Sequence, residues 1–586
     1  MLWFRAIGVL LAISSFLSCN RLSHSSDDYR YNGPPVIGDV VFFHLLSDPQ
    51  GLNPYTSNDN TASTLNRLIF DALLEQNPKT LQLEPSIARS LPEISSDHLQ
   101  YVFRLRSNVF FSDGQRLTAR DVLFSFKAVK NPFILEASAL RNYFDDVADV
   151  VAVDDTTIVI NMTKPYFLAQ YFLGDLRILP KHVLDPQGLT DRYTISELNN
   201  PERAKRNPSI AEFARWFSRA EVRREPQYVI GSGPYVFREW NTGKRLVFVR
   251  NPRAWDTPLW WRKAYPDAIV SVVINDRTAA LSALKTEEID FLDAIPPALY
   301  DEQLDTVQLN YLRKGKYEQS VYTYIGWNMR KPIFRDRRVR QALSHLVNRE
   351  HWIATVIRGY AQPINGPIYR NRPEYDTTLP GYRYSPARAI ELLQSAGWYD
   401  RNGDGILDNI IDGKLVNFEF ALSFNAGNET RENIAILYST ELRKYGIVCN
   451  VQKLEWSVFL RQLSSQQFDV YIGAWVNDNI PSDPYQLWHS SQADNRGSNY
   501  VGFRNRRADE LIEKNRVEFD ETKRTELMRE FQRIVHDEAP YTFLWTPEIL
   551  TAYNRRLFNV QFYSVRPPYV IPNWFVPPDL HYHIVQ

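Results

Sequence analysis

The chain has only two cysteines in 586 residues. Two cysteines cannot build a disulfide framework or a cysteine-rich metal site. No charge of one sign is in excess either, because 68 Lys and Arg residues balance 68 Asp and Glu residues. A neutral chain has no excess of positive charge to favour nucleic acid or an acidic membrane surface as its main partner.

The common catalytic motifs are also missing. The chain contains no Gly-x-Ser-x-Gly elbow, no P-loop and no His-Glu-x-x-His zinc motif. The glycine-rich run Gly231-Ser232-Gly233-Pro234 is not a nucleotide loop, because a proline and a strand-like stretch follow where a helix N-terminus is needed. With no nucleophile–base set to name, the sequence predicts no enzyme and no cofactor, and it makes a hydrolase the remote alternative.

Long hydrophobic runs are absent apart from one at the N-terminus. Residues 6–17 are mostly apolar and follow Arg5, but they are too few to span a bilayer as a helix. The run ends Phe16-Leu17-Ser18-Cys19, which resembles the lipobox of bacterial lipoproteins. The sequence therefore predicts a lipoprotein signal peptide over residues 1–19 with Cys19 lipidated, and a Ser- and Asp-rich flexible tether over residues 20–35. An ordinary secretory signal with a chance cysteine is the alternative.

A chain of 586 residues exceeds one hydrophobic core, so at least two lobes are expected. A buried strand is predicted at residues 40–43 and a helix at residues 61–74. An alternating strand at residues 101–106 then precedes a capping box, Thr118-Ala119-Arg120-Asp121, which predicts a helix start.

From residue 324 onward, segments with the two-residue period of a strand alternate with segments that have the 3.6-residue period of a helix. This alternation predicts a β-α-β-α-β series, and hence a sheet covered by helices, with strands at 416–422, 447–451 and 468–475 and helices at 432–444 and 456–463. After Pro540 the pattern predicts short strands and proline-rich connections. The high aromatic content, 13%, suits either a large core or a cleft with flat faces for ligand stacking.

Several motifs, taken in their order along the chain, resemble the family 5 bacterial extracellular solute-binding proteins, the peptide-binding components of ABC transporters. The similar segments span about residues 40–546 and are Asp48-Pro49-Gln50-Gly51-Leu52-Asn53-Pro54, Phe103-Arg104-Leu105-Arg106, Phe111-Ser112-Asp113-Gly114, residues 117–122, Gly231-Ser232-Gly233-Pro234-Tyr235, residues 334–343, Ala396-Gly397-Trp398 and residues 469–475.

The resemblance implies an α/β, two-lobed periplasmic-binding-protein (venus-flytrap) fold with an extra strand-rich subdomain in the first lobe. The implied divisions are lobe I at residues 36–83, 225–323 and 538–586, the inserted subdomain at 84–224, and lobe II at 324–537. It also implies an exported, lipid-anchored monomer on the periplasmic or cell-envelope side. This monomer would capture peptide and deliver it to an ABC permease and its ATPase.

In peptide-binding relatives an Asp three residues after a strand-ending Trp pairs with the α-ammonium of the ligand. The matching residues here are Trp475 and Asp478, with Asp483 as the second candidate for the anchor. The Arg that clamps the carboxylate in dipeptide binders has no match in residues 423–428, and the first Arg is Arg431, inside the next helix. The resemblance therefore favours oligopeptides, where backbone contacts along an extended ligand supply affinity. A sensing or interaction lipoprotein for a non-peptide solute is the alternative.

One further motif resembles a calcium loop. Asp400, Asn402, Asp404 and Asp408 have the ligand spacing of an EF-hand, with Gly405 at the turn, but Ile411 stands where a bidentate Glu is expected. Structural calcium and a simple Asp/Gly turn both remain open here, and the turn is favoured.

Overall fold

The computed structural model describes residues 31–57, 59–477, 480–494 and 497–582. The strands form one large sheet that runs through both lobes, and three smaller sheets. They are β1 Val40–Leu45, β2 Leu74–Gln76, β3 Leu83–Pro85, β4 Glu93–Ile94, β5 Gln100–Arg104, β6 Val147–Ala152, β7 Thr157–Met162, β8 Tyr235–Asn241, β9 Arg245–Arg250, β10 Ala268–Val273, β11 Phe291–Leu292, β12 Leu312–Glu318, β13 Val321–Trp327, β14 Ala361–Pro363, β15 Asp408–Ile411, β16 Lys414–Asn417, β17 Glu419–Asn425, β18 Val448–Leu454, β19 Val470–Val476 and β20 Tyr541–Asn554.

The helices cover the faces of these sheets. They are α1 Asn60–Ile69, α2 Ala119–Lys130, α3 Ser138–Arg141, α4 Ala169–Asp175, α5 Lys181–Leu184, α6 Ile195–Leu198, α7 Pro201–Arg206, α8 Pro208–Phe217, α9 Arg277–Lys285, α10 Pro297–Gln303, α11 Arg337–His345, α12 Arg349–Val356, α13 Pro386–Ser395, α14 Glu429–Arg443, α15 Trp456–Ser464, α16 Tyr485–Trp488, α17 Arg506–Val517 and α18 Glu521–Glu538. In the part of the chain that the structure describes, none of the helices combines the length and apolar character needed to cross a bilayer.

Three distant parts of the chain form the first-lobe half of the large sheet. The order is β8-β9-β10-β1-β11-β20, in which β1 runs parallel to both β10 and β11. Arg556 fastens these parts together, because its guanidinium donates to the carboxylates of Asp39 and Asp290 at 2.6–2.7 Å. All three side chains are at most 3% exposed.

The second-lobe half contains the predicted β-α-β-α-β series, which is confirmed as β17, α14, β18, α15 and β19. The three strands are parallel, in the spatial order β18-β17-β19, and β13 then pairs antiparallel with β19. Two separate apolar clusters cover its two faces, one containing Trp327 and Phe420 and the other Tyr324 and Tyr471. The carboxyl ends of β17, β18 and β19 therefore lie at one edge of the lobe.

The short strands predicted after Pro540 are wrong, because β20 is a single strand of 14 residues. Its first part pairs with β13 of the second lobe, and its last part pairs with β11 and β12 of the first lobe. Pro547 lies between these two parts, opposite Ala361 of β14. Proline carries no N–H for the ladder, so it is tolerated where the strand changes partners. The strand thus connects the lobes directly.

The helix predicted over residues 61–74 ends earlier, at Ile69. The Ile69 carbonyl accepts a hydrogen bond from the Gly233 backbone N–H at 2.8 Å, and Phe70 is already extended. A Cβ on Gly231 would lie 2.0 Å from the Ile69 oxygen. The glycines of the Gly231–Tyr235 motif are therefore needed for close backbone approach, and this packing stops the helix.

The inserted subdomain contains the four-stranded antiparallel sheet β4-β5-β7-β6, with α2 packed beside it. The predicted capping box at the start of α2 is confirmed, with the Thr118 N–H donating to Asp121 at 2.9 Å. The residue boundaries drawn between the lobes and the insert stay a prediction.

Candidate ligand-binding cleft

A cavity of about 470 Å³ lies where the first lobe, the insert and the second lobe meet. Its first-lobe wall is the exposed side of α1, with Asn60, Ser63 and Thr64, together with the C-terminal segment 565–572. The insert contributes Tyr171, Phe172, Asp175, Leu176 and Arg177, among others, and Ile480 comes from the second lobe. A concave space shared by several units of the fold is the usual place for a small ligand.

The floor of this cavity is a network of buried charges. Glu75 is 3% exposed and forms ion pairs with Arg177 and, at 3.3 Å, with Arg67. Arg177 also pairs with Asp175 at 2.7 Å. Arg262, which lines the same floor, is bonded to the buried Asp71. Since these charges neutralise one another, the floor is polar and rigid but carries little net charge.

Glu75 makes this floor sensitive to acid. Burial raises the pKa of Glu75, but the guanidinium groups of Arg177, Arg262 and Arg67 outweigh burial and bring the pKa to about 2. A carboxylate with a lowered pKa stabilises the fold above its unfolded-state pKa of about 4.5, and that stabilisation disappears as the pH falls towards 2.

We therefore expect Glu75→Gln to destabilise the first lobe by about 3 kcal/mol at pH 7, because Arg177 and Arg67 lose their shared carboxylate. Urea unfolding from pH 7 to pH 2.5 should show the difference between wild type and variant narrowing below pH 4.5. Arg104 pairs with the exposed Glu93 on the insert, so Glu93→Gln is the matched control. If the unfolding free energies of wild type and Glu75→Gln differed by the same amount from pH 7 to pH 2.5, the low pKa assigned to Glu75 would be contradicted.

Aromatic rings of the insert form a second wall of the cavity. Tyr143 and Phe172 stack with ring centroids 4.5 Å apart, and Tyr143 is 47% exposed. Phe172 also stacks on Tyr166 at 6.2 Å, and Tyr171 lies beside them in the lining. This wall offers flat, apolar faces to a ligand, in addition to the polar side chains of α1.

Trp475 is the next-to-last residue of β19, at the carboxyl edge of the second lobe. It is half-buried, its Nε1 donates to the Tyr541 hydroxyl at 3.3 Å, and its ring stacks on Tyr500 with centroids 5.9 Å apart. The ring is therefore held rigidly beside the segment that leads to the cavity. Its predicted role as a ligand wall stays a prediction.

Asp478 lies outside the described residues, but both sides of its segment are placed. The Asn477 N–H donates to the Ser320 carbonyl at 2.8 Å, and the Ser320 hydroxyl donates back to the Asn477 carbonyl at 3.0 Å. Two residues after Asp478, Ile480 lines the cavity. The described residues on either side are thus Asn477, which is bonded to the β12–β13 turn, and Ile480, which lines the cavity.

Asp483 is described, and both of its oxygens are occupied. One accepts from the Tyr166 hydroxyl at 2.6 Å and faces the Arg516 Nε at 3.0 Å. The other accepts from the Tyr485 N–H at 3.1 Å. Of the two Asp candidates, Asp483 is thus already committed to protein partners, and its role as a ligand anchor stays a prediction.

Arg431 was predicted to lie inside a helix. Its side chain reaches back to the end of β17. It lies in the first turn of α14, and its Nη1 donates to the Asn425 side-chain oxygen at the end of β17, at 2.6 Å. Burial lowers the pKa of Arg431. No carboxylate forms an ion pair with it within the described ranges, so its charge is only partly compensated.

The Asp400 loop has the hydrogen bonds of a turn. Asp400 accepts from the backbone N–H groups of Gly403 and Gly405 at 2.7 and 3.0 Å, and Asp408 is paired with Arg401 at 2.6 Å. Within the described ranges, no group of three or more His, Cys, Asp or Glu side chains is arranged around a metal position. The loop thus has the hydrogen bonds of a turn, with a cationic side chain on Asp408, and the preference for a turn over calcium stays a prediction.

Comparison with known proteins then identifies the architecture. A model of the bacterial extracellular solute-binding proteins, family 5, matches residues 82–497. The chain belongs to this family. The oligopeptide-binding protein AppA of Bacillus subtilis (strain 168) is 28% identical to this family 5 chain over 582 residues, which is 97% of the chain and 98% of AppA.

Solved structures agree with this assignment. AppA from Bacillus subtilis in complex with a nonapeptide has a TM-score of 0.69 at 27% identity, covering 93% of this chain and 100% of that one. NikA from Brucella suis in complex with Fe(III)-EDTA has a TM-score of 0.74 at 21% identity, covering 92% and 100%, which supports the fold alone. The predicted fold, an α/β two-lobed periplasmic-binding-protein fold with an extra subdomain, is confirmed.

Most of the residues that line the cavity were not predicted from the sequence. Arg67, Glu75 and Asp175 come from α1, β2 and the end of α4, and Tyr143 comes from a short turn in the insert. The one signal was the acidic and basic residues among apolar neighbours, as in Leu74-Glu75 and Leu176-Arg177. Such residues indicate buried ion pairs before they indicate a ligand site.

Proposed function

We propose that this chain is the substrate-binding component of an ABC import system and captures oligopeptides between its lobes. The observation that carries the proposal is the cavity lined by the first lobe, the insert and Ile480 of the second lobe. Family membership makes the chain a solute-binding protein and argues against an enzyme. The likeness to a nonapeptide-bound AppA over 93% of the chain supports a peptide several residues long.

The proposed binding mode divides the ligand between two kinds of contact. Asp478 pairs with the α-ammonium and Trp475 forms a wall beside it. The rings of Tyr143 and Phe172 and the polar face of α1 contact the chain that follows. Lobe closure would then make the bound form recognisable to a permease, since a closed state is populated only when the ligand binds it better than the open state.

The test is to identify what the protein holds. The chain lacking residues 1–19 should be purified from its own cells, weighed by native mass spectrometry and then denatured to release its ligand. We expect peptides of several residues. A bound non-peptide would leave the transport fold in place and replace the substrate class. An empty protein that shows no thermal shift with a peptide library would reject capture of peptides.

A non-peptide solute is the second candidate, in a sensing or interaction lipoprotein. It is favoured by the range of ligands that this fold holds in solved relatives, since NikA from Brucella suis was solved with Fe(III)-EDTA. The fold alone therefore does not fix the ligand. The released-ligand measurement separates the two candidates.

We further propose that Cys19 is lipidated and anchors the protein to a membrane on its periplasmic or cell-envelope side. Cys19 lies outside the described residues. Cys449, the other cysteine, is a free thiol half-buried in β18, and burial raises its pKa to about 12. An inert Cys449 leaves Cys19 as the cysteine available for modification.

Cys19→Ser should move the protein from the membrane fraction to the soluble fraction, and Cys449→Ser should leave it in the membrane. Fractionation followed by intact-mass measurement checks both. A wild-type protein that is already soluble, with an unmodified thiol at its N-terminus, would contradict the anchor.

A further inference from the structure

The second lobe touches the insert at a compact group of side chains that we call the clasp: Tyr166 and Phe167 of the insert with Asp483, Arg516 and Arg524 of the second lobe. The Tyr166 hydroxyl donates to the Asp483 carboxylate at 2.6 Å, and the side chain of Asp483 is 12% exposed. A short hydrogen bond to a partly buried carboxylate is among the stronger polar contacts in proteins.

Arg516 reinforces that contact from the second lobe. Its Nε lies 3.0 Å from the same Asp483 oxygen. Its guanidinium lies over the ring of Tyr166 at 4.8 Å and over the ring of Tyr485 at 4.5 Å. The cation is therefore sandwiched between one ring from each side of the cleft. Opening the lobes would remove the Tyr166 face and expose the pair to water.

The backbone takes part as well. The Phe167 N–H donates to the Arg516 carbonyl at 3.0 Å, and the Arg524 guanidinium lies 4.8 Å over the Phe167 ring. A second contact lies nearby in sequence, where His98 of the insert stacks on Phe519 with centroids 3.5 Å apart. All of these contacts join protein to protein, and none needs a ligand.

The clasp is continuous with both sides of the cavity. Tyr166 stacks on Phe172, which stacks in turn on Tyr143 in the cavity wall. On the other side, Asp483 lies three residues after Ile480, which lines the cavity from the second lobe. Holding Asp483 therefore holds the segment that covers the cavity.

We propose that the clasp, chiefly through Tyr166, Asp483 and Arg516, closes the lobes in the absence of ligand and holds Ile480 against the cavity. Asp483 is then a positioning residue and not the ligand anchor. Because closure is partly supplied by the protein, removing the clasp increases the rate of ligand escape more than it changes the rate of ligand entry. The expected effect on ligand escape rests on the proposed function, whereas closure of the ligand-free protein by the clasp does not.

The test uses Tyr166→Phe, which removes the hydroxyl and keeps the ring stacks. Hydrogen exchange in the ligand-free protein, with residues 1–19 removed, should speed up at least threefold at the Phe167 amide and stay unchanged in β17–β19. X-ray scattering of the same sample should show a larger radius of gyration. Tyr399→Phe, a matched change at an exposed tyrosine of the second lobe, should alter neither measurement.

Dissociation of a fluorescein-labelled synthetic nonapeptide gives the kinetic readout. The off-rate should rise about tenfold in Tyr166→Phe and in Asp483→Asn, and the on-rate should rise only about threefold, in step with the larger open fraction. Exchange at Phe167 that changes less than threefold would overturn the clasp. A protein that binds no peptide but still opens in Tyr166→Phe would keep the clasp and reject peptide capture. Loss of all binding in Asp483→Asn with unchanged exchange would make Asp483 an anchor and overturn the proposal.

Discussion

Asp478→Asn should weaken peptide binding by at least 30-fold, and by up to several thousand-fold. The proposed partner of Asp478 is the α-ammonium of the ligand, and a charge pair enclosed between two lobes is costly to break. Truncating one partner of a buried, hydrogen-bonded pair typically costs about 2–5 kcal/mol, which corresponds to this range. The described neighbours support the role, because Asn477 is bonded to Ser320 and Ile480 lines the cavity.

Isothermal titration with a peptide identified from the purified protein measures this loss. The sharpest control changes the ligand, since N-acetylation removes the ammonium. Acetylated peptide should bind the wild type about as weakly as free peptide binds Asp478→Asn, and the two changes together should cost little more than either alone. Asp412→Asn, at an exposed carboxylate of the second lobe, should bind normally. Equal affinity of the wild type for free and acetylated peptide would remove Asp478 from this role.

Arg556→Met should destabilise the first lobe by about 3–5 kcal/mol. The substitution leaves the carboxylates of Asp39 and Asp290 buried without their shared cation, and an uncompensated buried charge is far costlier than a lost surface pair. These three residues come from the start, middle and end of the chain. Their loss therefore loosens the joining of β1, β11 and β20.

Because a two-lobed protein need not unfold in one step, the effect should be followed by lobe. Hydrogen exchange under mild denaturant should accelerate in β1, β10 and β11 and remain near wild type in β17–β19. Arg556→Lys should give a smaller loss, and Arg388→Met, at an exposed helix pair, should cost at most about 1 kcal/mol. A change below about 1 kcal/mol in Arg556→Met would show that the network contributes little.

Local signals predicted much of the second lobe. The strands β17, β18 and β19 have apolar residues on one or both faces, and the helices between them begin at residues with capping side chains, such as Asn428. Asp276, Asp336 and Ser385 likewise cap helices through side-chain bonds to the helix N-termini. These features depend on neighbours within a few residues, so periodicity and capping chemistry predict them well.

Features made by distant contacts were predicted poorly. The early end of α1 depends on Gly231 and Gly233, more than 160 residues further along. The length of β20 depends on partners in both lobes, and the cavity combines α1, the insert, Ile480 and the C-terminal segment. The bond between Asp483, the second candidate for the anchor, and Tyr166 spans 317 residues, and the anchor role of Asp483 stays a prediction. No local pattern carries such pairings.

A crystal structure of the protein with its co-purified ligand tests the central claim most directly. We predict an extended peptide in the cavity between the lobes, with its α-ammonium about 3 Å from the Asp478 carboxylate. Its following residues should lie against Tyr143 and Phe172, and the Tyr166–Asp483 bond should be intact. A non-peptide ligand, or a peptide bound away from this cavity, would contradict the account.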